Sequence, residues 1–149
     1  MSLIDWVTLA IAIIGAVLGV INSYYSWLDR SVRLKVTPAW SVAPEFTGMS
    51  ITVTNSSKFP ITVIEIGFTL DRSRASLPKR MMIPEERLYS GSQEPTRLEP
   101  HSAKTISFAI DGLESYEIAQ AYALTDTGLI ARGSSGALKQ FIARGNKPI

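Results

Sequence analysis

The sequence predicts a mainly β sandwich preceded by one N-terminal transmembrane α-helix, and three observations predict it. Residues 3–28 are apolar almost without interruption, the remainder alternates polar and apolar residues in short runs, and turn residues recur between those runs. At 149 residues the chain has room for one ordinary domain plus an anchor. Its net charge of +2 is too mild to require a nucleic-acid partner, which selects basic residues gathered on one stripe. The absence of cysteine excludes disulfides, thiolate metal sites and cysteine nucleophiles, and agrees with a reducing compartment.

The helix comes first. Between Trp6 and Ile21 there is no charged residue and Thr8 is the only polar one. Trp6 at one end and Tyr24, Tyr25 and Trp27 at the other are placed for the two membrane interfaces, about 30 Å apart at ~1.5 Å per residue. That separation matches a hydrocarbon core. The Ile, Leu and Val residues together favour insertion by roughly 3 to 6 kcal/mol. A cleaved signal peptide is disfavoured, because residues 1–5 contain no Lys or Arg for a basic leader. Basic residues follow the helix instead, at Arg30, Arg33 and Lys35, so the positive-inside rule puts the C-terminal domain in the cytoplasm and the helix in the inner (cytoplasmic) membrane.

One face of this helix is small or polar throughout: Asp5, Thr8, Ala12, Gly15, Gly19, Asn22, Ser26 and Asp29 recur with a 3.5-residue period. Gly15 and Gly19 form a GxxxG, where missing side chains let two backbones approach. Thr8, Ala12, Gly15, Gly19 and Asn22 are therefore the predicted helix-packing residues, with Thr8 and Asn22 as cross-helix hydrogen-bonding groups.

After Arg30 the period changes to two. Residues 31–36 read as a half-buried strand that Pro38 ends or bends. Residues 49–54 and 61–70 alternate likewise and, with the Asn55-Ser56-Ser57-Lys58 turn between them, predict a hairpin. Residues 71–99 are loop-rich, interrupted by Pro78, Pro84 and Pro95, with short edge strands at 79–83 and 87–89. A clear strand follows at 104–110, and residues 111–117 are a turn or short helix. Strands 119–125 and 129–132 flank Asp126-Thr127-Gly128, a hairpin loop that needs positive φ at its glycine. Ser134 or Ser135 caps a last helix at 136–144, and 145–149 reads as a frayed tail. Domain limits are thus 1–30 for the anchor, 31–144 for a sandwich of roughly seven strands, and 145–149 for the tail.

The segments VTNSSKFPITVIEIGF and RLEPHSAKTISF resemble paired strands of bacterial immunoglobulin-like modules. In such modules a strand ending in Asn turns into a Pro-started strand, and a Leu-x-Pro turn precedes the next. The whole layout resembles uncharacterised bacterial single-pass membrane proteins with a short N-terminal anchor and an immunoglobulin-like β-sandwich. The resemblance covers about a third of the domain, implies a fold and implies no activity; the immunoglobulin Cys pair is missing here.

Chemistry-bearing patterns are sparse. His101 is the only histidine and sits in a Pro-Ser turn. Gly133-Ser134-Ser135-Gly136 lacks the spacing of a nucleophile elbow, and Glu85 and Glu86, read as extended, point to opposite faces. No catalytic residue, metal site or cofactor is expected. Arg72, Arg74, Lys79 and Arg80 make the middle loop basic and are candidates for contact with anionic headgroups or an acidic partner. The sequence thus points to a non-enzymatic membrane-anchored interaction or assembly protein. Its expected partners are the lipid bilayer and itself or another membrane protein, without nucleic acid. A membrane effector of the bacterial defence or toxin type, whose clustered helices permeabilise the bilayer, is the second reading.

Overall fold

A computed structural model describes residues 2–29, 31–44, 46–70, 79–113 and 115–145. The chain divides into two compact units, Met1–Ser31 and Val32–Ile149. The first is a single helix, α1 (Leu3–Asp29), long and apolar enough to cross a membrane over Leu3–Trp27, none of it buried within the chain. Its start is fixed by a capping box the apolar run had masked. The Ser2 N–H donates to the Asp5 carboxylate at 2.7 Å, and the Asp5 N–H donates to Ser2 Oγ at 3.3 Å. Asp5 therefore satisfies the helix end and its positive dipole pole rather than serving the seam alone.

The second unit holds nine strands among the described residues, more than the roughly seven expected. They are β1 (Leu34–Ala43), β2 (Phe46–Asn55), β3 (Ile61–Leu70), β4 (Lys79–Met82), β5 (Leu88–Ser90), β6 (Thr96–Leu98), β7 (Ala103–Ala109), β8 (Ile118–Thr125) and β9 (Ile130–Gly133). One sheet runs β1-β2-β7-β5 and the other β4-β3-β8-β9, with β6 also on β3; every pairing is antiparallel. β6 was unanticipated because three residues behind Pro95 carry no readable alternation.

Two expectations are corrected. Residues 49–54 and 61–70 do not form a hairpin: β2 pairs with β1 and β7, β3 pairs with β4, β6 and β8, and the 56–60 turn crosses between sheets. Alternation identifies strands but not which neighbour they choose. The hairpin is instead β1–β2, in register from Leu34 opposite Asn55 to Ala43 opposite Phe46. Nor does Pro38 end its strand; it lies inside β1, which is the edge of its sheet, where a missing N–H costs no ladder bond.

Both sheets bury their inner faces in one core. Met49, Ile51, Val53, Ile106 and Phe108 from the first meet Val63, Ile66, Phe68, Ala121 and Ala123 from the second. Phe68 and Phe108 pack edge to face across it, with ring centroids 5.7 Å apart. β3 places its apolar residues inward at odd positions up to Val63 and at even ones from Ile66, because a bulge between Val63 and Glu65 turns Ile64 outward. The side chain of Gln93 fills the gap between β6 and β4 along that edge. It accepts from the Ile66 N–H at 3.3 Å and donates to the Ile66 carbonyl at 2.9 Å, replacing a missing strand.

At the opposite edge β1 and β9 approach so closely that a Cβ on Gly133 would lie 1.8 Å from the Val36 carbonyl oxygen. Helix α2 (Gly136–Gly145) packs there and buries Leu138 and Phe141. Ser135 is its cap, accepting from the Leu138 N–H at 3.2 Å. Trp40 holds the helix from β1, stacking edge-on with Phe141 and donating from Nε1 to Gln140 at 3.3 Å. Gly128 has the positive φ (82°) its hairpin requires. The described residues among 110–117 contain turns and no helix, and residue 114 and the tail from 146 onward lie outside the described residues.

Candidate functional site

The predicted packing residues lie on one continuous helix, where a 3.5-residue repeat drifts only about 20° per heptad and stays on one side. Gly15 and Gly19 face open space: apart from adjoining residues and the backbone of their own helix, no atom lies within 4 Å of where a Cβ would stand. Thr8 differs from expectation in one respect. Its hydroxyl donates to the Ile4 carbonyl of its own helix at 2.9 Å, so across an interface it acts as an acceptor. The interface aromatics Trp6, Tyr24, Tyr25 and Trp27 are 57–69% exposed, and Tyr24 and Tyr25 meet edge to face at 6.1 Å. Exposure of this kind is what an aromatic belt at a headgroup layer would require.

The basic middle loop is divided. Arg72 and Arg74 lie outside the described residues; Lys79 and Arg80 open β4, opposite Leu70 and Thr69 at the end of β3 farthest from Ile61. Arg80 serves the fold as well, its guanidinium lying 5.9 Å from the Tyr122 ring centroid. Tyr122 is fully buried and its hydroxyl donates to the Glu65 carboxylate. Sequence reading missed this group because its members come from three strands and share no spacing. Burial, then the Glu65 hydrogen bond and charge, hold the Tyr122 phenol well above its ordinary range, with Arg80 opposing.

A folded-state pKa raised above the unfolded value of about 10 leaves stability intact below that pH and removes it as pH rises beyond. Unfolding free energy should therefore fall by about 1.4 kcal/mol for each pH unit above about 10. Urea titrations in that range measure it, and Tyr122→Phe should flatten the slope. An equal slope in the variant would assign it to other groups.

The remaining candidates have structural settings. Glu85 and Glu86 sit in a 3-10 turn, Glu85–Arg87, not in an extended segment, so they splay by about a third of a turn and both are exposed. His101 is exposed, has φ 60°, and donates its N–H to the Asn55 carbonyl at 2.8 Å. Lys104, whose pKa burial lowers against the pull of Glu94, donates to the Glu94 carbonyl and Thr96 Oγ1, each at 2.7 Å. Among the described residues no three His, Cys, Asp or Glu side chains form a group able to hold a metal ion.

A buried staple lies where the two segments bearing the immunoglobulin-like resemblance meet. Asn55 Nδ2 donates to the carbonyls of Phe59 (2.8 Å), Leu98 (3.0 Å) and Glu99 (3.3 Å), and its Oδ1 accepts from the Ser57 N–H (2.9 Å). Ser57 Oγ accepts in turn from the Arg33 N–H at 2.7 Å, fixing the first residues of the domain. Compared with models of protein families and with curated proteins, the chain matches none. What the geometry defines is a β-rich domain carried behind an apolar helix, the general form of a membrane-associated protein.

Proposed function

We propose that the protein is a non-enzymatic, single-pass membrane protein that assembles laterally through α1 and presents an immunoglobulin-like sandwich to a partner on the cytoplasmic side. The observation that carries this is α1: Leu3–Trp27 has a mean hydropathy of 2.3, is long and apolar enough to cross a membrane, and contains no buried residue in its apolar window. In water such a surface is untenable, and in lipid its one distinctive feature is the small-residue seam. Arg30, Arg33 and Lys35 support the cytoplasmic placement of the domain. Two antiparallel sheets over one core, with β2 and β3 joined across them, support the immunoglobulin-like reading.

The test is extraction of the full chain from native membranes in mild detergent, followed by mass determination of the intact complex. A complex heavier than one chain is expected, made of copies of this chain or of this chain with a second membrane protein. A strictly monomeric product, or recovery in the soluble fraction without detergent, overturns the reading.

A further inference from the structure

We infer that the outer face of the second sheet, β4-β3-β8-β9, is a docking surface for a short acidic amphipathic helix of a partner protein. This rests on the reading above, in which the sandwich is presented to a partner, and it names the face and the chemistry. The two sheets differ on the sides turned away from the core. On the first, the rows across β1, β2 and β7 are Thr37-Thr52-Thr105 and Ala39-Ser50-Ser107, the small, largely polar surface expected where a sheet meets water.

The second sheet departs from that pattern. Met81, Ala121, Ala123 and Ala131 pack toward the core, so alternation turns Met82, Leu124 and Ile130 outward, and the β3 bulge adds Ile64. Met82 is 52% exposed, Ile130 39% and Ile64 37%. Leu124, opposite Ile130 on one side and Glu65 on the other, joins them into one apolar area. Helix α2 sends Leu138 and Phe141 into the core, so the domain's own amphipathic helix is spent elsewhere.

Charge selects the partner. The same alternation turns Arg80 and Arg132 outward on the two edge strands, and both are exposed. Among the described residues neither makes an ion pair. The four strands carry Lys79, Arg80 and Arg132 against Glu65, whose carboxylate already accepts the Tyr122 hydroxyl. Arg97 and Glu99 pair with each other at 3.2 Å, and Asp126 lies beyond β8 at the end away from Arg80.

Size selects the class. From β4 to β9 the face spans three strand spacings, about 14 Å, and from Glu65 to Thr69 it runs about 13 Å along β3. The resulting area of about 200 Å² is about a quarter of what each partner buries in a standard protein–protein interface, too little for a second copy of this domain. It matches one helix, about 10–12 Å across, laid over about two turns. An apolar stripe on that helix meets Met82, Leu124 and Ile130, and carboxylates beside the stripe meet the two guanidinium groups. The apolar groups lie flat within a sheet instead of protruding from a loop, which suits a helix surface and not insertion among lipids.

With no native cysteine, disulfide trapping on the full chain is clean. Gln120→Cys, at the border of this face, and Thr52→Cys, on the first sheet, would be reconstituted in phosphatidylcholine nanodiscs. The probe is a synthetic helical peptide of about 12 residues with a leucine stripe flanked by glutamates and one cysteine on the stripe, beside the same peptide with lysines for glutamates. Trapping at position 120 by the glutamate peptide is expected, with little at position 52 and little by the lysine peptide. Arg132→Glu in the Gln120→Cys chain should lower the trapped fraction about fivefold, and its thermal melting should be unchanged. Equal trapping at both positions, equal trapping by both peptides, or no effect of Arg132→Glu overturns the docking surface and leaves the anchor standing. Slower maleimide labelling of Gln120→Cys when phosphatidylglycerol is added to the discs, without peptide, gives the face to anionic lipid and overturns it likewise. Failure to enter the discs overturns both readings.

Discussion

Asn55→Leu should remove about 4 kcal/mol or more of the β domain's stability and lower its melting temperature by about 15 °C. The replacement matches the shape of asparagine but makes none of its hydrogen bonds. The Phe59 and Leu98 carbonyls would lose the Asn55 donor and the Ser57 N–H would lose its acceptor, while the Glu99 carbonyl keeps the Ser102 N–H and hydroxyl. Asn55 is fully buried, so water does not readily take over, and each abandoned group costs about 1–3 kcal/mol. Against a total of roughly 5–15 kcal/mol for an ordinary domain, this single position decides whether the domain is folded at physiological temperature.

Asn55→Asp sharpens the test. A carboxylate keeps the acceptor for Ser57 but turns a second oxygen toward three carbonyl oxygens, so the folded state favours its protonated form. Its folded-state pKa is raised, and by linkage the variant's stability is retained below about pH 3.9 and lost as pH rises through that window, opposite to the usual carboxylate. Thermal melting of the β signal in detergent micelles measures both. A loss under about 1 kcal/mol in Asn55→Leu would mean the 55–60 and 98–102 turns are held by their backbones alone.

Asn55 also marks the boundary of what the sequence discloses. Reading it as the end of a strand before a turn was correct, because Asn, Ser and Pro each state a local backbone preference. Its role as a staple between residues 43 and 44 positions apart was not legible, since nothing at Asn55 names Leu98 or Glu99 as its partners. The same division holds elsewhere. α1 and strands β3, β7 and β8 follow from periodicity, which is a property of consecutive residues. The sheet chosen by β2, the strand mimicry of Gln93 and the Tyr122–Glu65–Arg80 group are long-range choices, settled by which faces bury together. The helix seam is the exception among site features. A helix keeps residues three and four apart adjacent, so spacing alone places the whole face. Only the local bonds of Asp5 and Thr8 modified it.

Gly15→Ile combined with Gly19→Ile should abolish lateral assembly while leaving the monomer intact. In the isolated chain both positions open on empty space, so a branched side chain meets nothing of its own molecule. Helix propensity improves by a few tenths of a kcal/mol at each site, and two added apolar side chains make insertion more favourable. Every term internal to the monomer therefore improves or stays neutral. Across a close helix pair the sign reverses, because the backbones approach at these glycines and an inserted side chain costs about 1–3 kcal/mol per site. The summed penalty of about 2–6 kcal/mol weakens association at least about thirtyfold. Cross-linking in native membranes, with helical content and membrane recovery measured alongside, separates the two contributions. The expected pattern is full membrane recovery and unchanged helicity with the oligomer bands gone. An unchanged ladder would place any lateral contact on the Ile- and Leu-rich side of α1 and remove the seam from the site.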